Sequence, residues 1–522
     1  MLPQTELSPR MQRAAAVVLG AMGAVGWQST HWWPTTFVGV AGLTWLLLCS
    51  RQSLPRARSA FGLGWLFGLG QGLVALLWVH VIGWYVVPPL LALMALWSGL
   101  VALVTVAGAR LTTRWMPRAV IAACAWSLAE YGASRVPFGG FGWLRLAYTQ
   151  VDSPLAGWFP VLGVGGVSLV VALLGNLVLG LFVSRGRARW LAGVVCLVLV
   201  AGAPVAGRTP ASPILDQEPV SVGVVQGNVD GSAGPDAMGY ARSVTDNHVS
   251  QTVTLMARAR AGLDPAPDFV LWPENSTDVD PTLDAQTAGL IERAAAVSEL
   301  PILVGAVMRG PGEDERQTSA LWRTVDGEIT ARYDKRNLVP FGEWIPLRDQ
   351  LLPILPVLEQ VGAQSVPGTA PGVLDVQLKD GRRLTIGDVI CFELAWDSTV
   401  YDTVQNDATL LVVQSNNGTY TGTGQPRQQF AITRARAMEL RREIVVATTN
   451  SLSGLVLPDG SVQARTDEAT AAARTFTVPL REGLTPAVRV GPAVELAAAL
   501  AAGAVLVAGL LRGLRRRFWT AG

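Results

Sequence analysis

Three short strings in the second half of the chain hold residue types that together can perform acyl transfer. Leu271-Trp272-Pro273-Glu274-Asn275-Ser276 presents a carboxylate where an apolar strand breaks into a loop, because Pro273 cannot continue a ladder. Tyr333–Pro346 (YDKRNLVPFGEWIP) carries Lys335, one of two lysines in a chain with 41 Lys and Arg. Where arginine is used almost everywhere, a retained lysine points to a site needing a compact ammonium rather than a planar fork. Gly387–Leu394 (GDVICFEL) holds Cys391 at a strand end, ahead of a helix predicted over Trp396–Val404. A helix start and a nearby ammonium favour the thiolate, which is the attacking form. Each string also has a plain structural reading: a solvated loop Glu, a surface Lys on a hairpin, a buried Cys.

Composition indicates what must position these groups. Of 522 residues, 50% are hydrophobic and 15% charged, against roughly 25% charged in ordinary soluble proteins. The composition argues against a purely soluble enzyme, and a net charge of +2 argues against a nucleic-acid partner. Only Glu6, Glu130 and Asp152 among the 39 acids precede residue 211. Apolar stretches recur at 12–29, 35–50, 59–82, 85–109, 118–134, 154–184, 188–207 and 492–511, most of them long enough to cross a bilayer. Arginines mark alternate connections: Arg10 and Arg13; Arg51, Arg56 and Arg58; Arg110, Arg114 and Arg118; Arg185, Arg187 and Arg189; Arg512, Arg515, Arg516 and Arg517. The positive-inside rule then places both termini in the cytoplasm and residues 208–490 outside it.

The acid-rich block reads as α/β. Strands are expected at Val220–Gln226, Phe269–Trp272, Ile302–Met308, Leu384–Cys391, Thr409–Gln414 and Ile444–Thr449, and helices at Ala285–Ser298 and Gln425–Arg442. Ala203–Pro219 reads as a Pro-rich linker and Arg309–Gln317 as a charged loop. The expected division is a seven-span domain (1–207), a linker (208–219), a catalytic domain (220–481), a last span (492–511) and a basic tail (512–522). Four cysteines, three of them in apolar runs, do not make a disulfide framework. With only His248 and Cys391 in the polar block, neither a zinc site nor a Ser-His-Asp triad assembles easily. Among the apolar segments, Glu130 is expected either to have a functional role or to pair with Arg135, and Gly62–Gly68 reads as close helix packing rather than a nucleotide loop.

Taken together, Glu274, Lys335 and Cys391 follow the Glu-Lys-Cys order of the nitrilase superfamily. WPE, DKRNLVPFGEWIP and ICFE resemble its membrane-embedded branch, the apolipoprotein N-acyltransferases, along essentially the whole chain. Val225-Gln226-Gly227-Asn228, Asn416-Asn417-Gly418-Thr419-Tyr420, Arg434–Glu439 and Phe138–Trp143 resemble further motifs of that family. Two departures stand out: Phe392 follows the nucleophile where Tyr is common, and VDGSAGPDAMGY follows Gln226-Gly227-Asn228 where a basic-Trp pair is usual, so a substrate contact has moved to Tyr240 or is absent.

The resemblance implies a polytopic α-helical membrane protein of about eight spans with an extracytoplasmic nitrilase-like αββα sandwich, in a bacterial cytoplasmic (inner) membrane. It implies Cys391 as nucleophile, Glu274 as general base and acid, and Lys335 as oxyanion stabiliser, with Glu343 and Glu393 orienting Lys335. Phe341, Trp344, Phe141, Trp143 and Tyr420 would border a lipid entrance. No metal or cofactor is implied. The donor would be a phospholipid resembling phosphatidylethanolamine, and the acceptor the amine of a diacylglyceryl-Cys lipoprotein. A membrane-tethered amidase, in which water resolves the acyl-enzyme, and a non-catalytic lipid-binding scaffold are the competing readings; a transporter is weaker, because the spans hold so few ionisable residues.

Overall fold

The apolar half of the chain folds as helices and the acid-rich block as two sheets. The computed structural model describes residues 7–50, 53–231, 234, 237 and 239–519, with side chains up to residue 512. Arg51, part of the expected topology signal, falls outside these residues, as do the side chains of Arg515, Arg516 and Arg517. Two units are present: Met1–Thr209 with Thr485–Gly522, and Pro210–Leu484.

In the first unit the long helices are Pro9–Gly23, Pro34–Leu48, Ala57–Ala75, Val87–Leu111, Trp115–Ala133, Phe159–Val183, Gly186–Ala206 and Pro486–Trp519. Among the described residues, Val87–Leu111, Pro154–Val183, Gly186–Ala206 and Pro486–Arg512 have the length and apolarity to cross a membrane. Pro34–Leu48 is apolar but has only 15 residues, about 22 Å of rise against a hydrocarbon core of about 30 Å. Leu197, Val198, Leu500 and Leu510 are each more than half exposed, an outward apolar surface that water penalises and lipid does not. The Gly62–Gly68 string lies within Ala57–Ala75, where a Cβ on Gly68 would stand 2.6 Å from Ala95 Cα. Its glycines serve close helix approach.

The expected Glu130–Arg135 pair does not form. Glu130 is buried, accepts a hydrogen bond from the Leu146 backbone N–H at 2.8 Å, and lies 3.9 Å from Arg145, which is hydrogen-bonded to Glu495. Arg135 is exposed and sits 3.7 Å from the centre of the Tyr131 ring. A buried carboxylate is satisfied by groups buried with it, and Arg135 faces outward.

The second unit contains β1 (Val220–Gln226), β2 (Phe269–Leu271), β3 (Ile302–Arg309), β4 (Glu315–Arg323), β5 (Ile329–Asp334), β6 (Gln364–Ser365), β7 (Val373–Gln377), β8 (Arg383–Ile390), β9 (Leu410–Ser415), β10 (Ile444–Thr448), β11 (Gly454–Val456), β12 (Val462–Arg465) and β13 (Ala472–Val478). One sheet runs β13-β1-β2-β3-β4-β5, with β6 beside β4; the other runs β12-β11-β10-β9-β8-β7. The central strands β1-β2-β3 and β8-β9-β10 are parallel. Inward residues of both sheets, including Phe269, Leu271, Trp322, Ile386, Val412 and Val445, form one core. On the outer face of the first sheet, Val270, Trp272 and Val304 pack against Leu255 and Ile291 of helices Ser243–Arg260 and Ala285–Ser298. Helices Asp397–Gln405 and Gln425–Leu440 belong to the second half of the same αββα arrangement.

Two boundaries differ from expectation. The helix Gly186–Ala206 takes in the first residues of the expected linker, with Pro204 inside it. Glu315–Gln317, expected in a loop, begins β4, pairing with β3 in a register that sets Arg316 opposite Arg309. Ladder hydrogen bonds to β3 on one edge and to β6 on the other outweigh the polar side chains there.

Candidate active site

The carboxyl ends of the central strands converge, which is where open α/β sheets bind ligands. Glu274 follows β2 by three residues, and Pro273 ends the strand. Gly305 on β3 allows this exit, since a Cβ there would collide with the Pro273 carbonyl. Lys335 follows β5 directly. Cys391 follows β8 directly and has φ +56°, a left-handed conformation that costs a non-glycine residue about 1–3 kcal/mol. Such strain projects the side chain off the strand end.

Lys335 is 2% exposed and donates to Glu274 Oε1 and Glu343 Oε1, both at 2.9 Å. Burial alone would lower the ammonium's pKa, but the two carboxylates more than offset it and hold Lys335 well above ordinary lysine. It remains charged. The second Glu274 oxygen accepts from the Asn416 backbone N–H at 2.7 Å, and the second Glu343 oxygen from that of Val339 at 2.7 Å. Both carboxylates are thus fixed at each end.

Cys391 is half-buried. Burial pushes its thiol up, Glu274 adds to the rise, and Lys335 opposes it. The expectation that a helix start and an ammonium favour the thiolate meets an opposing balance here: desolvation and two carboxylates favour the thiol against one ammonium. The short turn Cys391–Ala395, rather than the later helix, carries the residue.

Glu393 does not touch Lys335. It is fully buried and accepts from Tyr333 Oη on both oxygens at 2.9 Å, from the Arg336 and Asn337 backbone N–H groups at 2.8 and 3.1 Å, and from that of Ile390 at 2.9 Å. It clamps the segment after Lys335 to the strand end before Cys391. Burial raises its carboxyl pKa, and these N–H groups oppose the rise.

The expected entrance residues are divided between the two units, Phe141 and Trp143 in the first and Phe341, Trp344 and Tyr420 in the second. Tyr420 lies near Cys391 and Glu343; burial raises its phenol first, and negative charge at this site adds to the rise. Phe341 is exposed with φ +62°, and its N–H donates to the Trp344 carbonyl at 2.7 Å, closing a tight loop around Glu343. Trp143 belongs to the interior of the first unit: it is 1% exposed and stacks near Trp78 and Phe141, with ring centroids 5.8 and 6.2 Å away. An aromatic loop between apolar segments reads the same whether its rings point inward or outward. Phe141 is half-buried beside it and Tyr240 is exposed.

Sequence reasoning missed a group of buried amides. Gln429 Oε1 accepts from Asn417 Nδ2 at 2.9 Å and Gln425 Nε2 at 2.8 Å, and stands 4.0 Å from Cys391 Sγ; Gln429 Nε2 donates to Ser415 Oγ at 2.6 Å. The signal was the i, i+4 spacing of Gln425 and Gln429, which puts both on one helix face, but two glutamines in a polar helix read as solvated.

Glu274 and Lys335 are in contact beside Cys391, on two face-to-face sheets with helical cover, and residues 238–482 match the family model described as carbon–nitrogen hydrolase. Residues 19–177 match the model described as the apolipoprotein N-acyltransferase N-terminal domain. An apolipoprotein N-acyltransferase of Mycolicibacterium smegmatis is 34% identical over 93% of this chain and 84% of that protein. One of Ralstonia nicotianae is 28% identical over 97% of this chain and 94% of its own length. The chain belongs to the apolipoprotein N-acyltransferase family. A crystal structure of an amidase from Nesterenkonia sp. aligns with 51% of this chain and 92% of its own, at 17% identity and a TM-score of 0.36.

Proposed function

We propose that this chain is a phospholipid-dependent N-acyltransferase that carries a fatty acyl group on Cys391 to the N-terminal amine of a diacylglyceryl-Cys apolipoprotein. The observation that carries this reading is the contact of Lys335 with Glu274, beside the strained Cys391, in a chain of this family. Glu274 removes the thiol proton as sulfur attacks the donor ester carbonyl, and Lys335 Nζ stabilises the resulting oxyanion. Collapse forms a thioester and releases the lysophospholipid alcohol, which receives its proton from Glu274. The incoming amine then gives a proton to Glu274 as it attacks the thioester. Collapse of the second oxyanion releases the amide and returns a proton to the sulfur. Each step moves one proton between neighbours.

The donor resembles phosphatidylethanolamine in this reading. Residues 1–207 form a seven-span domain, 208–219 a linker, 220–481 an extracytoplasmic catalytic domain, 492–511 the last span and 512–522 a basic tail, with both termini in the cytoplasm of a bacterium. Alternate Arg-rich connections and outward apolar helices support this arrangement. Membrane attachment has a physical reason: a lipid leaves the bilayer at a cost of about 0.8 kcal/mol per buried CH₂, so the enzyme must work at the lipid surface. Phe341, Trp344 and Tyr420 border the entrance. The test incubates the purified full chain in detergent with phosphatidylethanolamine and follows intact mass. A hydroxylamine-sensitive acyl adduct on Cys391, discharged by a diacylglyceryl peptide, is expected; release of free fatty acid without peptide acylation refutes the proposal.

A further inference from the structure

Beside the nucleophile, one carbonyl oxygen gathers three donors. Gln429 Oε1 receives N–H bonds from Asn417 and Gln425 and faces Cys391 Sγ at 4.0 Å, while its own N–H group is taken by Ser415. Gln429, Asn417, Gln425 and Ser415 are each at most 4% exposed, so water does not compete for these bonds. The two glutamines share one face of the helix Gln425–Leu440, and Ser415 ends β9, next to the Asn416 N–H that holds Glu274. The amide is therefore tied to the same strand end as the general base.

We propose that Gln429 is a positioning residue for the nucleophile: its oriented carbonyl oxygen holds the Cys391 S–H and keeps the sulfur protonated until Glu274 takes the proton during attack. This inference rests on the reading of Cys391 as nucleophile. A carbonyl oxygen attracts S–H and repels S⁻, so its placement opposes premature ionisation. The other groups facing the sulfur are Glu274 and Glu343, which also oppose ionisation, Lys335, which favours it, and the Tyr420 phenol. Unlike Glu274 and Lys335, Gln429 takes no part in the proton transfers of turnover, so its carbonyl oxygen at 4.0 Å can act on the resting thiol alone. A protonated thiol is also slow to react with oxidants and other electrophiles.

The experiment measures alkylation of Cys391 by iodoacetamide against pH, in the full chain in detergent, by peptide mass spectrometry that separates it from Cys49, Cys124 and Cys196. Gln429→Met removes the carbonyl at similar size. Its alkylation midpoint is expected to fall by about one pH unit, with about tenfold faster labelling at a fixed pH below the midpoint. Gln429→Glu, whose second oxygen can accept from the Ser415 hydroxyl, is expected to raise the midpoint by at least as much. An unchanged midpoint in Gln429→Met, or one that rises, overturns the proposal; a rise would mean that the amide N–H faces the sulfur. Should Gln429→Met lose its thermal transition, Gln429→Glu decides alone, and an unchanged midpoint there overturns it. The acyl adduct on the unaltered chain is measured in parallel. Shifted midpoints without an adduct refute the acyl-carrier reading and leave the thiol assignment standing. An adduct with unshifted midpoints refutes the Gln429 assignment alone.

Discussion

Replacing Glu393 by Gln tests whether the carboxylate clamp, rather than general burial, sets the distance between Lys335 and Cys391. One oxygen accepts from the Arg336 and Asn337 N–H groups and the other from the Ile390 N–H, with Tyr333 Oη donating to both. A glutamine has one acceptor and one donor end. The smaller loss keeps its oxygen on Arg336 and Asn337 and turns its NH₂ toward Ile390, where two donors then face each other in a dry interior. Leaving that N–H unsatisfied costs about 1–3 kcal/mol, and exchanging charged for neutral acceptors weakens the remaining bonds. The expected loss is about 2–3 kcal/mol, a drop of roughly 5–10 °C in the unfolding midpoint of the second unit. A shift of about 1 Å between the lysine and cysteine strand ends is expected to slow acyl-adduct formation about 100-fold. Thermal melts and the intact-mass assay read the two effects separately. A variant that melts within 2 °C of the parent and acylates within about twofold would refute the clamp.

Two further outcomes follow from buried charge. Lys335→Met leaves Glu274 and Glu343 facing each other without the ammonium, so about 3–5 kcal/mol of stability and at least 100-fold in adduct formation are expected to go; Lys335→Arg is not expected to restore activity, because the buried pocket is filled by a single Nζ, and full rescue by Arg in the same assay would count against the oxyanion role. His248 is fully buried, with Nδ1 bonded to the Val244 carbonyl and Nε2 receiving the Gly227 N–H, and burial holds its pKa down at about 4. The unfolded chain takes up this proton near pH 6.5 and the folded one does not, so stability falls as pH drops from 6.5 toward 4, by on the order of 3 kcal/mol. Denaturant titrations at pH 7, 6 and 5 should show a shallower decline in His248→Gln; parallel declines would refute it.

What the sequence determined by itself is the inventory and its order. Pro273 stops one strand beside Glu274, and the rarity of lysine singles out Lys335. The single Cys of the acid-rich block follows an apolar strand, and six strands and three helices of that block were legible because periodicity and turn residues are local properties. Short or polar strands, β5, β7 and β12 among them, were not, since their pairing depends on partners far along the chain. Tertiary structure decided the electrostatics. Whether Cys391 rests as thiol or thiolate depends on the balance of burial, two carboxylates and one ammonium drawn from three separate segments. The same holds for Glu393, which sequence placed beside Lys335 and which instead joins the two strand ends, and for Trp143 and Glu130, whose surroundings no local pattern records. Distances between side chains some 60 residues apart are set by the two stacked sheets, so charge state and hydrogen-bond partners appear only once that stacking exists.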